Sequence, residues 1–268
     1  MVGLEQLLRQ FVQYVDAWAP AYLLVLFRLA GLFVMAPLLG SSRIPRRVRG
    51  MLAGLIALGM AGGVREPVAL PSDLASLTVA LGGELVFGIA MGTTVALVFV
   101  AAQWAGEMIG QQMGLSIAQA FDPQFGGAGS LIGDLYFMLT LAVFMSPPID
   151  GPAALLRGVD ASLAALPLLS VGINQSVLDL LTDLLVAAAA LAFQLAAPML
   201  LTMLIVDVAL GCIGKTMPQM NVMSAGLSIR VLAGMIVLIV GATVTWHVLT
   251  DALDDGLSRL QAYYTTPH

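Results

Sequence analysis

Charge is scarce in this 268-residue chain: 11 Lys and Arg with 16 Asp and Glu make up 10% of the residues, against 59% hydrophobic. An average soluble domain is roughly a quarter charged. Too few polar groups are therefore present to coat a water-facing surface, which excludes a soluble enzyme. The surface must face lipid, other protein, or both, and a mean hydropathy of +0.96 agrees. The single cysteine, Cys212, excludes a disulfide within the chain and any Cys-cluster metal site. Two histidines, His247 and His268, are too few for a His-based metal centre. No basic run of the kind that binds nucleic acid is present. The first 18 residues lack a basic stretch, an apolar core and a small-residue cleavage site in series, so they read as mature protein. Strand-like alternation is missing as well.

What is present is a series of apolar runs, about six of them when judged against the ~20 residues that span ~30 Å of hydrocarbon. They cover residues 17–42, with Arg28 as the one charge; 50–64, which is short; 74 to about 106, with Glu84; 131–149, with Asp134, ending at Pro147 and Pro148; 184 to about 213, with Gln194, Pro198 and Asp207; and 231–250, which is uncharged. Segments that cross lipid must satisfy their own backbone, so an all-α integral membrane fold is expected. Pro37, Pro198 and Pro218 are expected to break or kink helices. Glycines four apart, at Gly50 and Gly54, Gly88 and Gly92, and Gly106, Gly110 and Gly114, would let helix backbones approach closely. Arg43, Arg46, Arg47 and Arg49 crowd one short loop, which should be cytoplasmic. Six alternating spans then put both termini outside and leave 105–130 inside, although that stretch has no Lys or Arg.

Residues 105–130, AGEMIGQQMGLSIAQAFDPQFGGAGS, join two apolar runs yet are themselves half apolar. A plain solvent loop would be shorter and more polar. Two readings stand: a flexible apolar loop inside a conduit, sealed by Met and Phe, or a re-entrant hairpin that only packs. Glu84, Glu107, Asp134 and Asp207 lie in the apolar zone, where each costs several kcal/mol unless paired or wet. They form either a proton or ion path or a structural set paired with Arg28, Lys215 or Arg230. The string GLSI occurs at 114–117 and 226–229, and with His247 it permits a weak reading as an intramembrane serine protease. PQMN at 218–221 is by itself a turn.

Taken in order, these pieces resemble one family, that of FliR, the flagellar biosynthesis membrane protein, with its counterpart in injectisome type III secretion. The resemblance is carried by FRLAGLFVMAPLLGSSRIPRRVR at 27–49, GELVFGIAMG at 83–92, QWAGEMIGQQMGLSIAQAFDP at 103–123, and FQLAAPMLLTMLIVDVALGCIGKTMPQMNVMSAGLSIRVLAG at 193–234. The double proline in MSPPIDG at 145–151 departs from the expected pattern and bears on where the fourth helix ends.

The resemblance implies a non-enzymatic subunit of the flagellar type III export gate, without a cofactor. It would form, with FliP and FliQ and beside FlhB and FlhA, the pore through which unfolded flagellar proteins leave the cytoplasm. It implies a multi-pass protein of the bacterial inner membrane, in the flagellar basal body. It also implies a single domain of bent helical hairpins over 1–268: a FliP-like part over about 1–183, with a plug loop near 105–130, then a FliQ-like hairpin over about 184–268. Met113, Phe121 and Phe125 would form the apolar seal, with Gly110, Gly114 and Gly126 in the plug. Arg28, Glu84, Glu107, Asp207 and Lys215 would be candidates for contact with neighbouring subunits. The alternative is a stand-alone secondary transporter, which should show paired broken helices around a midplane site.

Overall fold

Lipid offers no hydrogen-bond partner, and all the regular structure among the described residues is helical. The computed structural model describes residues 2–37, 40, 44–64, 70–71, 73–115, 130–166, 168–169, 175–216 and 222–265. In chain order the helices are α1 (Val2–Met35), α2 (Arg46–Ala61), α3 (Leu74–Gln112), α4 (Leu131–Met145), α5 (Gly151–Ala165), α6 (Gln175–Thr216) and α7 (Val222–Thr265).

Four stretches are long and apolar enough to cross a membrane: Trp18–Met35, Leu74–Gln112, Leu181–Thr216 and Gly226–Leu260. The other two apolar runs become helices of 16 residues (α2) and 15 residues (α4). At 1.5 Å per residue these are about 24 and 22 Å long, short of the ~30 Å core. All six apolar runs are therefore helical, and among the described residues four of them are long enough to cross.

Helix α5 is not among the six apolar runs. Arg157 and Asp160 break its apolar character, but Leu155, Val159 and Ser162 recur every three or four residues and are buried. Pro152 lies in its first turn, where a missing N–H costs no intrahelical bond. The expected helix-breaking prolines divide. Helix α1 stops at Met35 and Pro37 lies in the following turn. Helix α6 runs on through Pro198, and α1 through Pro20. Pro218 lies outside the described residues. Helix α4 ends at Met145, before the double proline, with the Ser146 N–H donating to Val143 O.

Hydroxyls inside the apolar helices are satisfied one turn back. Thr93 donates to Ile89 O, Thr140 to Tyr136 O, Thr202 to Pro198 O and Thr250 to Trp246 O, each at 2.8 Å. This pattern removes the penalty of an unpaired polar group in hydrocarbon.

The chain forms two compact units, each assembled from separated stretches of sequence. The first contains Met1–Ala96, Pro152–Asp183 and Gly256–His268. Within it Leu24, Val25, Leu29 and Leu32 of α1 are fully buried. Ala53, Ala57 and Ala61, four apart, turn one smooth stripe of α2 inward, and α2 packs on α1. Helices α1 and α3 meet backbone to backbone. A β-carbon at Gly88 would press on the carbonyl of Arg28, and one at Gly92 would lie 2.9 Å from Leu32 O. Gly31 is the matching small residue on α1, with Leu85 O and Ile89 N against it. The glycine pair expected at 88 and 92 is therefore a true crossing. The pair at 50 and 54 is not: Gly50 has no atom within 4 Å of where a side chain would begin, and Gly54 meets only the Tyr22 hydroxyl.

The second unit contains Leu97–Gly151 and Leu184–Asp255. Phe99 sits edge-on to Phe137 and Phe144, with centroids 5.3 and 5.6 Å away, in a packing favoured by the ring quadrupoles. Here the close crossing is at Gly106, where a β-carbon would lie 2.6 Å from Gly133 Cα. Met199 and Met203 of α6 complete the buried centre.

Candidate functional site

Three polar or irregular arrangements stand out among the described residues. In the first unit, Arg28 of α1 and Glu84 of α3 are 0% and 1% exposed and pair directly, Nε to Oε2 at 2.7 Å. The α1–α3 glycine crossing brings their backbones close enough for these side chains to meet inside the unit. Arg28 Nη1 donates to Ser162 Oγ at 3.0 Å, and the Ser162 hydroxyl in turn donates to Val159 O of α5. Glu84 Oε1 accepts the Leu169 N–H at 3.2 Å. Leu169 adopts φ +74°, a conformation that costs a side-chain-bearing residue roughly 1–2 kcal/mol. The charge-assisted bond offsets that cost, being worth about 1.5–3 kcal/mol. Arg28 Nη2 has no hydrogen-bond partner among the described residues, but the guanidinium carbon lies 5.0 Å from the Phe87 ring centroid, whose face attracts the cation.

One neutral, desolvated pair thus ties α1, α3, α5 and the turn after α5. Both carboxylate oxygens are occupied, which fits a structural pin and leaves neither free for a relay. Of the residues expected to touch neighbouring subunits, Arg28 and Glu84 turn their side chains to each other. Ser162, Leu169 and Phe87 were not legible from sequence as their partners. They come from a helix without an apolar run, a turn, and an aromatic that reads as ordinary core.

In the second unit, the flanks of residues 116–129 meet. Helix α3 ends at Gln112, with the Met113 N–H donating to Ile109 O and the Gly114 N–H to Gln111 O. Gly114 takes φ +77°, the left-handed conformation with which helices commonly stop. It therefore terminates the helix and does not extend the packing face of Gly106 and Gly110. At the far flank Ser130 caps α4, its hydroxyl accepting the Gly133 N–H. Gly110 lies against it, so that a β-carbon would be 2.9 Å from Ser130 Oγ. Met113 is buried within the unit, against Gly234. Phe121, Phe125 and Gly126 lie outside the described residues.

Also in the second unit, Asp207 of α6 and Arg230 of α7 approach to 2.6 Å at 40% and 36% exposure. The two groups touch as charges, since Oδ1 has no hydrogen bond of good geometry. Around them the surface is apolar: Leu204, Ile205, Val208 and Leu232 are all more than half exposed. Lys215 is exposed in the last turn of α6, where a cation complements the helix dipole. Glu107 is exposed on α3, and Asp134 is exposed in the first turn of α4. Glu84 and Asp207 thus have the basic partners expected of a structural set, Arg28 and Arg230.

The two rival chemistries fare poorly. Ser228 and His247 lie on the same helix, about 28 Å apart along its axis at 1.5 Å per residue, too far for a dyad. Ser116 lies outside the described residues. Among the described residues each of the four candidate spans is one continuous helix, whereas a transporter site of the expected kind is built from discontinuous helices.

Comparison with known proteins adds the family. The model of the bacterial export proteins, family 1, matches residues 19–256. The flagellar biosynthetic protein FliR of Bacillus subtilis is 31% identical, over 87% of this chain and 90% of its own length. That of Escherichia coli is 28% identical, over 81% and 82%. The surface presentation of antigens protein SpaR of Shigella flexneri is 27% identical, over 82% and 84%.

Proposed function

The chain belongs to the bacterial export proteins, family 1, and from that premise we propose that it is a non-enzymatic subunit of a flagellar type III export gate in the bacterial inner membrane. Together with FliP- and FliQ-like proteins, and beside FlhB- and FlhA-like ones, it forms the pore that passes unfolded flagellar proteins. The observation that carries this reading is the extent of the family match, which takes in 19–256 and so all four candidate spans except Trp18 and residues 257–260. The relatives named for flagellar biosynthesis favour the flagellar form of the machine.

The surface supports a subunit that works in company. Within Gly226–Leu260 only 6% of the most apolar 18-residue stretch is buried within the chain, although Leu249, Leu253 and Leu260 further along are buried. Lipid can cover such a helix, but the Asp207–Arg230 pair beside it is half exposed among apolar side chains, and exposed charge in hydrocarbon is costly. Neighbouring protein is the more favourable cover. Asp207, Lys215 and Glu107 are accordingly the contact residues of choice.

Charge also bears on orientation. With the arginine-rich stretch cytoplasmic and four crossings, residues 113–180 fall on the outer side. The absence of Lys and Arg from 105–130, awkward for six crossings, is then expected. In this reading residues 110–126 form the plug that seals the pore, with Met113, Phe121 and Phe125 in the apolar seal.

Affinity purification of the tagged chain from its native membranes tests the assembly. Stable recovery of FliP- and FliQ-like proteins is expected, and a clean monomer with those proteins present in the membrane would refute it. Deletion of 116–126, which spares the Gly114 stop and the Ser130 cap, should leave the complex intact and make the closed gate leaky. An intact complex with unchanged permeability would refute the plug.

A further inference from the structure

Helix α2 turns one stripe to its own unit and another to its surroundings. Ala53, Ala57 and Ala61 face inward, while Val48, Met51, Leu55 and Leu58 are exposed, Met51 and Leu55 at 68% and 65%. Spacings of three and four put the exposed residues in one row. Arg47 heads that row, one turn before Met51, and Arg46 lies beside it; both are exposed. Neither forms an ion pair among the described residues, and the first turn of α2 has no acid and no side-chain cap. Cations there oppose the helix dipole, whose N-terminal end is already positive. They serve the helix itself poorly, whereas an external anion complements them.

Where this end lies follows from α1. The candidate span Trp18–Met35 closes at the residue where α1 stops, and at 1.5 Å per residue it is about 27 Å long, nearly the depth of the hydrocarbon. The chain then turns back. A β-carbon at Gly54, midway along α2, would lie 3.4 Å from the hydroxyl of Tyr22, well before the end of α1. Arg46 and Arg47 are therefore on the side of the bilayer where Met35 ends the span, and the apolar row leads from them toward the hydrocarbon. Charge at one end with an unbroken apolar row behind it matches the layering of a lipid leaflet, headgroup over acyl chain. No residue from 50 to 61 has a polar side chain. The exposed face of α6 and α7 differs, because there the Asp207–Arg230 pair stands in the midst of apolar side chains, which suits protein.

We propose that α2 docks anionic phospholipid: Arg46 and Arg47 hold the headgroup phosphate, and the row of Met51, Leu55 and Leu58 takes an acyl chain. Lipid bound in this way fixes the level of the α1–α2 pair in the bilayer. The site is separate from the export reading and requires only that α1 crosses the membrane.

The test uses the full chain in a neutral detergent, titrated with phosphatidylglycerol or with phosphatidylcholine, and bound lipid is read by native mass spectrometry. One basic residue beside an anionic surface is worth about fivefold in partition. Phosphatidylglycerol should therefore bind about fivefold tighter than phosphatidylcholine or better, and Arg46→Gln with Arg47→Gln should remove that preference while leaving phosphatidylcholine binding unchanged. Arg157→Gln, which deletes an exposed charge on α5, should retain the preference. Leu55→Ser should weaken binding of both lipids, and inorganic phosphate should not compete, because the apolar row holds the acyl chain. Equal binding of the two lipids by wild type, an unchanged preference in the double variant, unchanged binding in Leu55→Ser, or displacement by inorganic phosphate overturns the inference. A double variant that loses partner proteins from native membranes with its lipid preference intact assigns the face to protein and overturns it as well. Should the double variant fail to accumulate, Arg47→Gln alone is read, with part of the preference lost and an unchanged preference overturning the inference.

Discussion

Glu84→Ala is the substitution with the most to say about how this chain holds together. It leaves the guanidinium of Arg28, fully buried, with the Ser162 hydroxyl and the face of Phe87 as its polar company among the described residues, and it removes the acceptor of the Leu169 N–H. Breaking a buried ion pair from one side costs about 3–5 kcal/mol, because the remaining charge stays desolvated. For a chain of this size each kcal/mol moves the melting temperature by about 2–4 °C, so a fall of about 6–20 °C is expected. Arg28→Met should act similarly, leaving the carboxylate unmatched. The double variant Arg28→Met with Glu84→Leu removes both charges, and apolar replacement of a buried pair is often close to neutral. Ser162 keeps its bond to Val159 O, so the residual deficit is the orphaned Leu169 N–H, about 1–3 kcal/mol. The assay is heating of the detergent-purified protein followed by size-exclusion chromatography. A Glu84→Ala protein that melts with wild type, or a double variant no more stable than the single ones, would refute the account of this pair as a pin.

Two further outcomes follow from the packing. Gly88→Val should abolish accumulation in the membrane, because its β-carbon meets the Arg28 carbonyl, whereas Gly50→Ala and Gly211→Ala, with nothing within 4 Å, should accumulate normally; immunoblotting of membranes separates the cases. Asp207→Ala should leave the melting of the isolated chain nearly unchanged, since an exposed pair is worth about 0.2–1 kcal/mol. It should still weaken retention of FliP- and FliQ-like partners, as truncating one member of a covered charge pair costs about 2–5 kcal/mol. Unchanged partner recovery in a salt series would remove this face from the interface.

Composition and runs of apolar residues were enough, by themselves, to establish an all-helical membrane protein. That follows because lipid imposes one rule, internal satisfaction of the backbone, which every spanning segment must obey regardless of its neighbours. Ordered motifs such as QWAGEMIGQQMGLSIAQAFDP carried the family, and the Gly88 and Gly92 spacing announced a real crossing. What the sequence left open was decided by partners brought from far along the chain. Glycine spacing at 50 and 54 looks the same as at 88 and 92, yet among the described residues it is the second pair that meets the backbone of a neighbouring helix. Glu84 and Asp207 read alike as acids in an apolar run, but one is sealed against Arg28, which also reaches Ser162, 134 positions from that arginine, and the other remains half exposed beside Arg230. Helix α5 escaped an apolar-run search because only one of its faces is buried. Gly234 carries no local signal at all, since a notch exists only when Met113 and Met199 arrive to fill it. Local chemistry dictates that a segment is helical and apolar; which face becomes a crossing, a pin or a notch depends on what the fold lays against it.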